Sequence, residues 1–229
     1  MKQPLLPPAM RAVLPSLALL VTLFASAACR PSHRVPSRLD PGLLRAIPRA
    51  ETAPISEALR KSADARSAYR SARKETAAAG DAAQLAVTEL NVVKRAIDER
   101  RTELGESKDR ESAARSAAQA SYDEAIGIAR IARRGLALAR REHEQCALRE
   151  RLALEESRLA DAEVELARGI AALNVKRRGF PPVPIEDLRE AVAFHSREIE
   201  IARRRLDDAR VRMLDARAAY ESAIALEGK

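Results

Sequence analysis

The fold class can be inferred from residues 55–97, ISEALRKSADARSAYRSARKETAAAGDAAQLAVTELNVVKRAI. Apolar and small side chains recur in this stretch at intervals that alternate between three and four residues. This is the heptad repeat of α-helices that pack side by side. Alternate members are mostly alanine, which lets two helices approach closely and is typical of tight antiparallel pairs. The repeat, interrupted by Arg100, consists of Ile55, Ala58, Ser62, Ala65, Tyr69, Ala72, Thr76, Ala79, Ala83, Ala86, Leu90, Val93, Ile97 and Leu104.

Two glycines affect this first helix differently. Gly80 lies inside the repeat without shifting its phase, so we predict a continuous helix weakened there by about 1 kcal/mol, with a hairpin turn as the alternative. The phase changes at Gly105, which Ser107 and Asp109 follow. This segment is either a turn or a phase shift within one much longer helix.

A second heptad frame follows Gly105 and contains four leucines in strict register between residues 152 and 173. We predict that these leucines form the strongest packing seam of the chain. The frame consists of Ala117, Glu124, Ile131, Leu138, Gln145, Leu152, Leu159, Leu166 and Leu173.

A glycine and three prolines between residues 179 and 184 end the second helix, and the acidic Glu186 and Asp187 favour the start of a third. The predicted helices therefore cover about 55–104, 108–177 and 185–227, with a break at 178–184. The short break returns the chain on itself. We predict an all-α fold over residues 55–229, either a long antiparallel coiled-coil hairpin or an elongated three-helix bundle. The third repeat consists of Ile185, Leu188, Val192, His195, Ile199, Ala202, Leu206, Ala209, Met213, Ala216, Tyr220 and Ala223.

The composition of the 229 residues supports long helices rather than a thick globular core. Tryptophan is absent, phenylalanine and tyrosine occur three times each, and 32% of the residues are charged. The net charge of +8 suggests an anionic partner. Nucleic acid is not expected, because the few aromatic residues leave no platform for base stacking. Anionic lipid or an envelope polymer fits better.

The N-terminus is typical of a secretion signal. Lys2 and Arg11 precede an uncharged apolar run, Ala12–Phe24, which is too short to span a bilayer as a helix. Small residues follow, so we predict a signal peptide over residues 1–28.

Residues Ser26-Ala27-Ala28-Cys29 resemble the lipobox of bacterial lipoproteins, although that family prefers leucine where this chain has Ser26. The resemblance implies that Cys29 carries lipid, and Arg30, in place of aspartate, implies the outer membrane. The alternative is ordinary cleavage after Ala27 or Ala28, which yields a soluble periplasmic or secreted protein.

Residues 29–54 combine five prolines with five arginines, so we predict a semi-rigid tether. Its arginines either lie against acidic head groups or are simply solvated.

Candidate chemistry is sparse. His33 lies in the tether and His195 in a helix seam, and neither has an evident partner in the sequence. His143 and Cys146, three residues apart, have the one spacing compatible with a metal site or a reactive pair, but further ligands are missing. We therefore predict no metal, no cofactor and no enzyme activity. Cys146 alternatively forms an intermolecular disulfide.

Acidic and basic residues four apart predict pairs on solvated helix faces rather than acid-base machinery. These pairs are Glu57–Lys61, Glu111–Arg115, Glu200–Arg204 and Asp208–Arg212.

The run Asn174–Gly179, the segment Ile185–Ala191 and the alanine-rich helix through Tyr220 and Leu226 resemble the periplasmic helices of the TolC-like outer-membrane efflux family. The β-barrel strands of that family are missing from the sequence pattern. The resemblance therefore implies a helical partner of a transport assembly, not a pore.

Three functions are compatible with these patterns. The first is a lipid-anchored periplasmic coiled coil with a structural or protein-interaction role, associating with itself or with other helices. The second is an accessory component of an export or efflux complex. The third is a polyanion-binding module.

Overall fold

A computed structural model describes Arg45 and residues 47–107, 111–174 and 183–227, which belong to one compact unit, Arg38–Lys229. A short 3-10 turn, Arg49–Glu51, leads into helix α1, Thr52–Glu106. Helices α2, Ser112–Asn174, and α3, Ile185–Glu227, follow. Within these described residues there is no strand, so the predicted all-α, three-helix fold is confirmed. The predicted signal peptide (1–28), Cys29, His33 and most of the break at 178–184 lie outside the described residues.

The helix ends follow from local chemistry. α1 begins three residues before the predicted start and includes Pro54, which is tolerated because the first turn of a helix has no intrahelical acceptor for its N–H groups. The Thr52 hydroxyl donates to the Arg49 carbonyl at 2.6 Å, which joins the 3-10 turn to α1. α3 has the predicted bounds, and Glu186 and Asp187 lie in its first turn, where the helix dipole favours acidic groups.

α2 lies in the middle and packs against both α1 and α3, whereas α1 and α3 barely approach each other. Both pairs are antiparallel. Ser62 near the start of α1 contacts Asp161 near the end of α2, and Gly80 lies beside His143. The chain therefore reverses direction between α1 and α2, and the alternative of one longer helix through Gly105 is wrong. The hairpin alternative at Gly80 is also wrong, because α1 passes through it unbroken.

The predicted heptad positions of α1 and α3 are buried or half-buried along both helices, with Arg100 exposed as the expected exception. The two helices differ in how many of their residues are fully buried. The buried residues of α1 are Ala58, Ser62 and Leu90, whereas eight residues of α3 are buried. The α3 seam is therefore the more completely enclosed of the two.

The predicted leucine seam of α2 is wrong in detail. Leu152, Leu159 and Leu166 are only half-buried and Leu173 is 50% exposed. Small side chains occupy the most buried positions, because α2 has a helix on two sides and alanine or glycine fits where neighbouring backbones come closest. These include Ala153, Ala160, Ala162, Gly169, Ala171 and Ala172.

The ends of the leucine frame are exposed for a simple reason. Leu173 lies one turn beyond Gly169, whose neighbours Ile185 and Leu188 belong to the first turn of α3. Ala117 and Glu124, also exposed, precede Gly127, which lies beside Glu227 at the end of α3. The frame thus extends past α3 at both ends.

Candidate interaction surfaces

A buried polar cluster joins α2 to α3. His195 is 4% exposed, and its Nδ1 lies 3.1 Å from Glu155 Oε2. Arg158 donates to the other carboxylate oxygen, Glu155 Oε1, at 2.8 Å. The Phe194 ring meets the imidazole edge-on, with 5.2 Å between ring centroids. The expectation that His195 has no partner is therefore wrong, because its partner lies 40 positions earlier in the sequence.

Both oxygens of Glu155 are engaged by this cluster, so the carboxylate has a structural role. An anionic carboxylate beside Arg158 accepts a hydrogen bond, which places the imidazole proton on Nδ1. A buried hydrogen-bonded pair of this kind specifies register, because sliding either helix would leave buried polar groups without partners. His195 and Glu155 thus fix how α3 lies along α2.

Four further ion pairs cross the same interface. On one side of α2, Glu142 pairs with Arg217 at 3.0 Å and Glu156 with Arg203 at 3.6 Å. On the other side, Glu144 pairs with Arg212 at 2.9 Å, and Arg130 pairs with Glu227. Hydrogen bonds from Arg141 and Arg212 lower the pKa of Glu144. These pairs flank the interface from both edges.

The predicted pairs within helices form only in part. Glu57 and Lys61 pair at 3.2 Å as expected. Glu200 pairs instead with Arg203, one residue nearer than predicted, and Arg212 reaches across to α2 rather than back to Asp208. The Arg115 N–H donates to the Glu111 carbonyl, a backbone contact only. Tertiary partners and three-residue spacings thus compete successfully with the predicted pairs.

His143 and Cys146 face α1 rather than a metal. A side chain on Gly80 would lie 3.4 Å from His143 Nε2, so the imidazole packs against the backbone of α1. Cys146 is half-buried, and its pKa is raised, mainly by burial, with Arg149 acting in the opposite direction. Across the described ranges, no group of three or more His, Cys, Asp or Glu residues is placed to hold a metal ion.

A groove opens between α1 and α3 above α2. It has a volume of about 310 Å³, and Tyr220 of α3 lies at one wall. A side chain on Gly135 would come within 3.3 Å of the Tyr220 ring, so this glycine leaves room for the ring. The other lining residues are Ala86, Glu89, Val93, Ile128, Ile131, Ala132 and Leu136. The groove marks one face of the bundle, which we name the groove face.

The opposite face is rich in arginine. Cross-helix contacts of Arg66 with Asp161, and of Arg212 with Glu144, place these residues on that side. A shallow hollow of about 400 Å³ also opens there, with arginines at its rim and small or apolar side chains beneath. Its lining residues are Ile126, Ala129, Arg130, Arg133, Arg134 and Ala137. We name this side the basic face.

Large apolar side chains also remain exposed. On α1, Leu85 and Val92 are 61% and 60% exposed and lie seven residues apart. On α3, Val211 and Leu214 are 59% and 49% exposed. In the part of the chain that the structure describes, none of the helices is both long and apolar enough to traverse a bilayer.

Sequence reasoning therefore located the helices but missed the buried cluster and both faces. The seven-residue repeat identifies which positions lie inside, yet it does not say which helix lies opposite. No protein-family model matches this chain, and no curated protein or solved structure is significantly similar to it.

Proposed function

We propose that this protein is a non-enzymatic helical protein of the cell envelope, anchored through lipid on Cys29, and that its task is to pair with helices of another protein. The signal-like segment 1–28 and the lipobox-like Ser26–Cys29 support export and anchoring. The helical body supports an interaction role, because it offers surfaces along helices over tens of ångströms.

The observation that carries the interaction role is the exposed side of α1. Ala78, Leu85 and Val92 lie seven residues apart, so they form one line along the helix. The three members of the line are uncharged, and the segment between Lys74 and Lys94 contains no basic residue and only three acidic ones. Apolar side chains in such a line are what a partner helix packs against.

The first experiment measures the intact mass of the protein purified from a membrane fraction. We expect the mass of residues 29–229 plus the acyl groups. A matched Cys29→Ser variant should lose the acyl mass. An unprocessed chain in the cytosol, or a cleaved chain without lipid, would contradict the anchoring.

The second experiment tests the exposed line. The double variant Leu85→Glu/Val92→Glu should abolish co-purification of the partner while leaving the circular dichroism unchanged. Val211→Glu/Leu214→Glu on α3 is the matched control, because it introduces the same charges at similarly exposed positions. Equal loss in both variants would argue against a specific surface on α1.

A role as an accessory component of an export or efflux complex is the second candidate. The resemblance of residues 174–226 to TolC-like periplasmic helices favours it. Under this reading, the partner that co-purifies through Leu85 and Val92 is a membrane transporter component. Recovery of an unrelated soluble partner would count against it.

A further inference from the structure

The basic face is assembled from stripes of all three helices. Residues separated by multiples of seven lie on the same side of a helix, and we call such a set a stripe. The four stripes of the basic face contain the cross-helix contact residues Arg66, Asp161, Arg130 and Arg212. The four stripes hold twelve basic and five acidic residues. The basic residues are Arg66, Arg73, Lys94, Arg101, Arg130, Arg133, Arg140, Arg151, Arg158, Arg168, Arg205 and Arg212, and the acidic residues are Asp123, Glu144, Asp161, Glu165 and Glu198.

The excess of basic over acidic residues is found on this face and not in the helices as a whole. Taken whole, α1, α2 and α3 carry nearly equal numbers of basic and acidic residues. The stripes defined in the same way on the groove face, through Glu89, Glu142 and Arg217, hold six of each. Folding therefore segregates positive charge to one side of the bundle.

Apolar side chains lie at both ends of the basic face. Leu59, 44% exposed, belongs to the Arg66 stripe near the start of α1, and Leu226, 69% exposed, belongs to the Arg212 stripe near the end of α3. Surfaces that lie in the head-group region of a bilayer combine basic residues with exposed apolar side chains, which enter the boundary with the acyl chains. A nucleic acid duplex offers its phosphates to the arginines but no apolar region to these leucines.

We propose that the basic face is the surface by which the helical body lies flat on a bilayer containing anionic lipids. Over the length of α3 and the width of three helices, the face measures roughly 1,600 Å², above the roughly 800 Å² that each partner buries in a stable protein interface. The hollow between Arg130, Arg133 and Arg134 accommodates an anionic head group, with Ile126 beneath it.

This inference rests on the proposed membrane anchoring, which brings the face close to lipid. Cys29 precedes the start of α1 by a segment that spans at most about 75 Å when extended, so the anchor leaves the body free to lie down on the membrane. The tether also raises the effective concentration of the face at the surface. Each arginine near an anionic surface then adds to the attraction.

The test is sedimentation of the full-length Cys29→Ser chain with vesicles of phosphatidylcholine, alone or mixed with phosphatidylglycerol. The readout is the ratio of binding to the two kinds of vesicle, because affinity contributed elsewhere in the chain is common to all variants. Arg133→Glu/Arg140→Glu/Arg151→Glu should lower the preference for anionic vesicles by about a hundredfold or more. These arginines are exposed and take part in no ion pair within the described residues.

Arg197→Glu/Arg204→Glu/Arg210→Glu on α3 is the matched control. This triple variant makes the same change in net charge at exposed positions outside the basic face. It should therefore retain most of the preference for anionic vesicles. Equal loss in both triple variants, or no loss in either, would overturn the proposal. Tighter binding of duplex DNA than of anionic vesicles at the same salt concentration would also overturn it, in favour of nucleic acid. The intact-mass measurement is independent, so anchoring and face can fail separately.

Discussion

The two interfaces of α2 are built differently. α1 is 55 residues long and buries only Ala58, Ser62 and Leu90, whereas α3 is 43 residues long and buries eight residues. The α3 interface includes larger side chains such as Leu188, Ile199 and Met213, and removing larger apolar area from water stabilises more. The longer helix thus buries fewer of its own residues.

Polar contacts reinforce this difference. The α2–α3 interface contains the buried His195–Glu155 pair and four flanking ion pairs. The α1–α2 interface instead uses Asp161, which accepts hydrogen bonds from Ser62 at 2.6 Å and Arg66 at 2.9 Å. An alanine seam packs similarly after a shift of seven residues, whereas a buried hydrogen-bonded pair loses its partner after the same shift. α3 is therefore fixed in register by chemistry that α1 largely lacks.

The largest expected effect comes from truncating one leucine in each interface. Leu188→Ala should lower the free energy of unfolding by about 4 kcal/mol, because Leu188 is 2% exposed and packs at the start of α3. Leu90→Ala should cost about 2 kcal/mol, since Leu90 is 8% exposed and belongs to the helix that buries fewer residues. Urea unfolding followed by circular dichroism compares the two. Equal losses in the free energy of unfolding would mean that the two interfaces do not differ in this way.

Removing the buried histidine should cost about 3 kcal/mol. In His195→Ala the Glu155 carboxylate stays buried with Arg158 as its remaining partner. A double-mutant cycle with Glu155→Ala isolates the pair, and a coupling energy near zero would contradict its role in register. Ser196→Ala, at an exposed neighbouring position, is the control.

Two glycine substitutions should have opposite signs. A side chain on Gly169 would lie 2.9 Å from Leu188 Cδ1 and 3.0 Å from Ile185 Cδ1, so Gly169→Ala should destabilise by about 1 kcal/mol. Gly105 has nothing within 4 Å of the corresponding position, so Gly105→Ala should stabilise α1 by about 1 kcal/mol. Thermal unfolding distinguishes them. The same sign at both sites would mean that α3 does not pack closely at Gly169.

The smallest expected effect is a pH dependence. The pKa of Glu144 is lowered by Arg141 and Arg212, so its folded form binds protons less readily than its unfolded form. Its contribution is therefore present above the unfolded pKa and is lost as pH falls below about 4.3. The side chain is 36% exposed, so the contribution is only a few tenths of a kcal/mol. Between pH 5 and pH 3, the Glu144→Gln variant should therefore lose slightly less stability than the wild type. An identical loss in both proteins would contradict the stabilising role of the Glu144 carboxylate.

The helices can be recognised from the sequence alone, because the seven-residue repeat is local and needs no partner. The predicted bounds match those of α3, differ by three residues at the start of α1, and differ by four and three residues at the two ends of α2. The repeat also identified the inward positions of α1 and α3, since these helices each pack on one side. It failed on the leucines of α2, because a helix between two neighbours has two inward sides and a single repeat describes only one.

Which residues meet across the helices depends on how the helices pack, and the repeat does not reveal it. His195 gains Glu155 from another helix, and Arg212 pairs with Glu144 rather than with Asp208. The basic face exists only because antiparallel packing brings stripes of three nearly neutral helices to one side. Local periodicity specifies the angle of a side chain around its own helix, whereas its neighbours depend on which helix lies alongside and in what register.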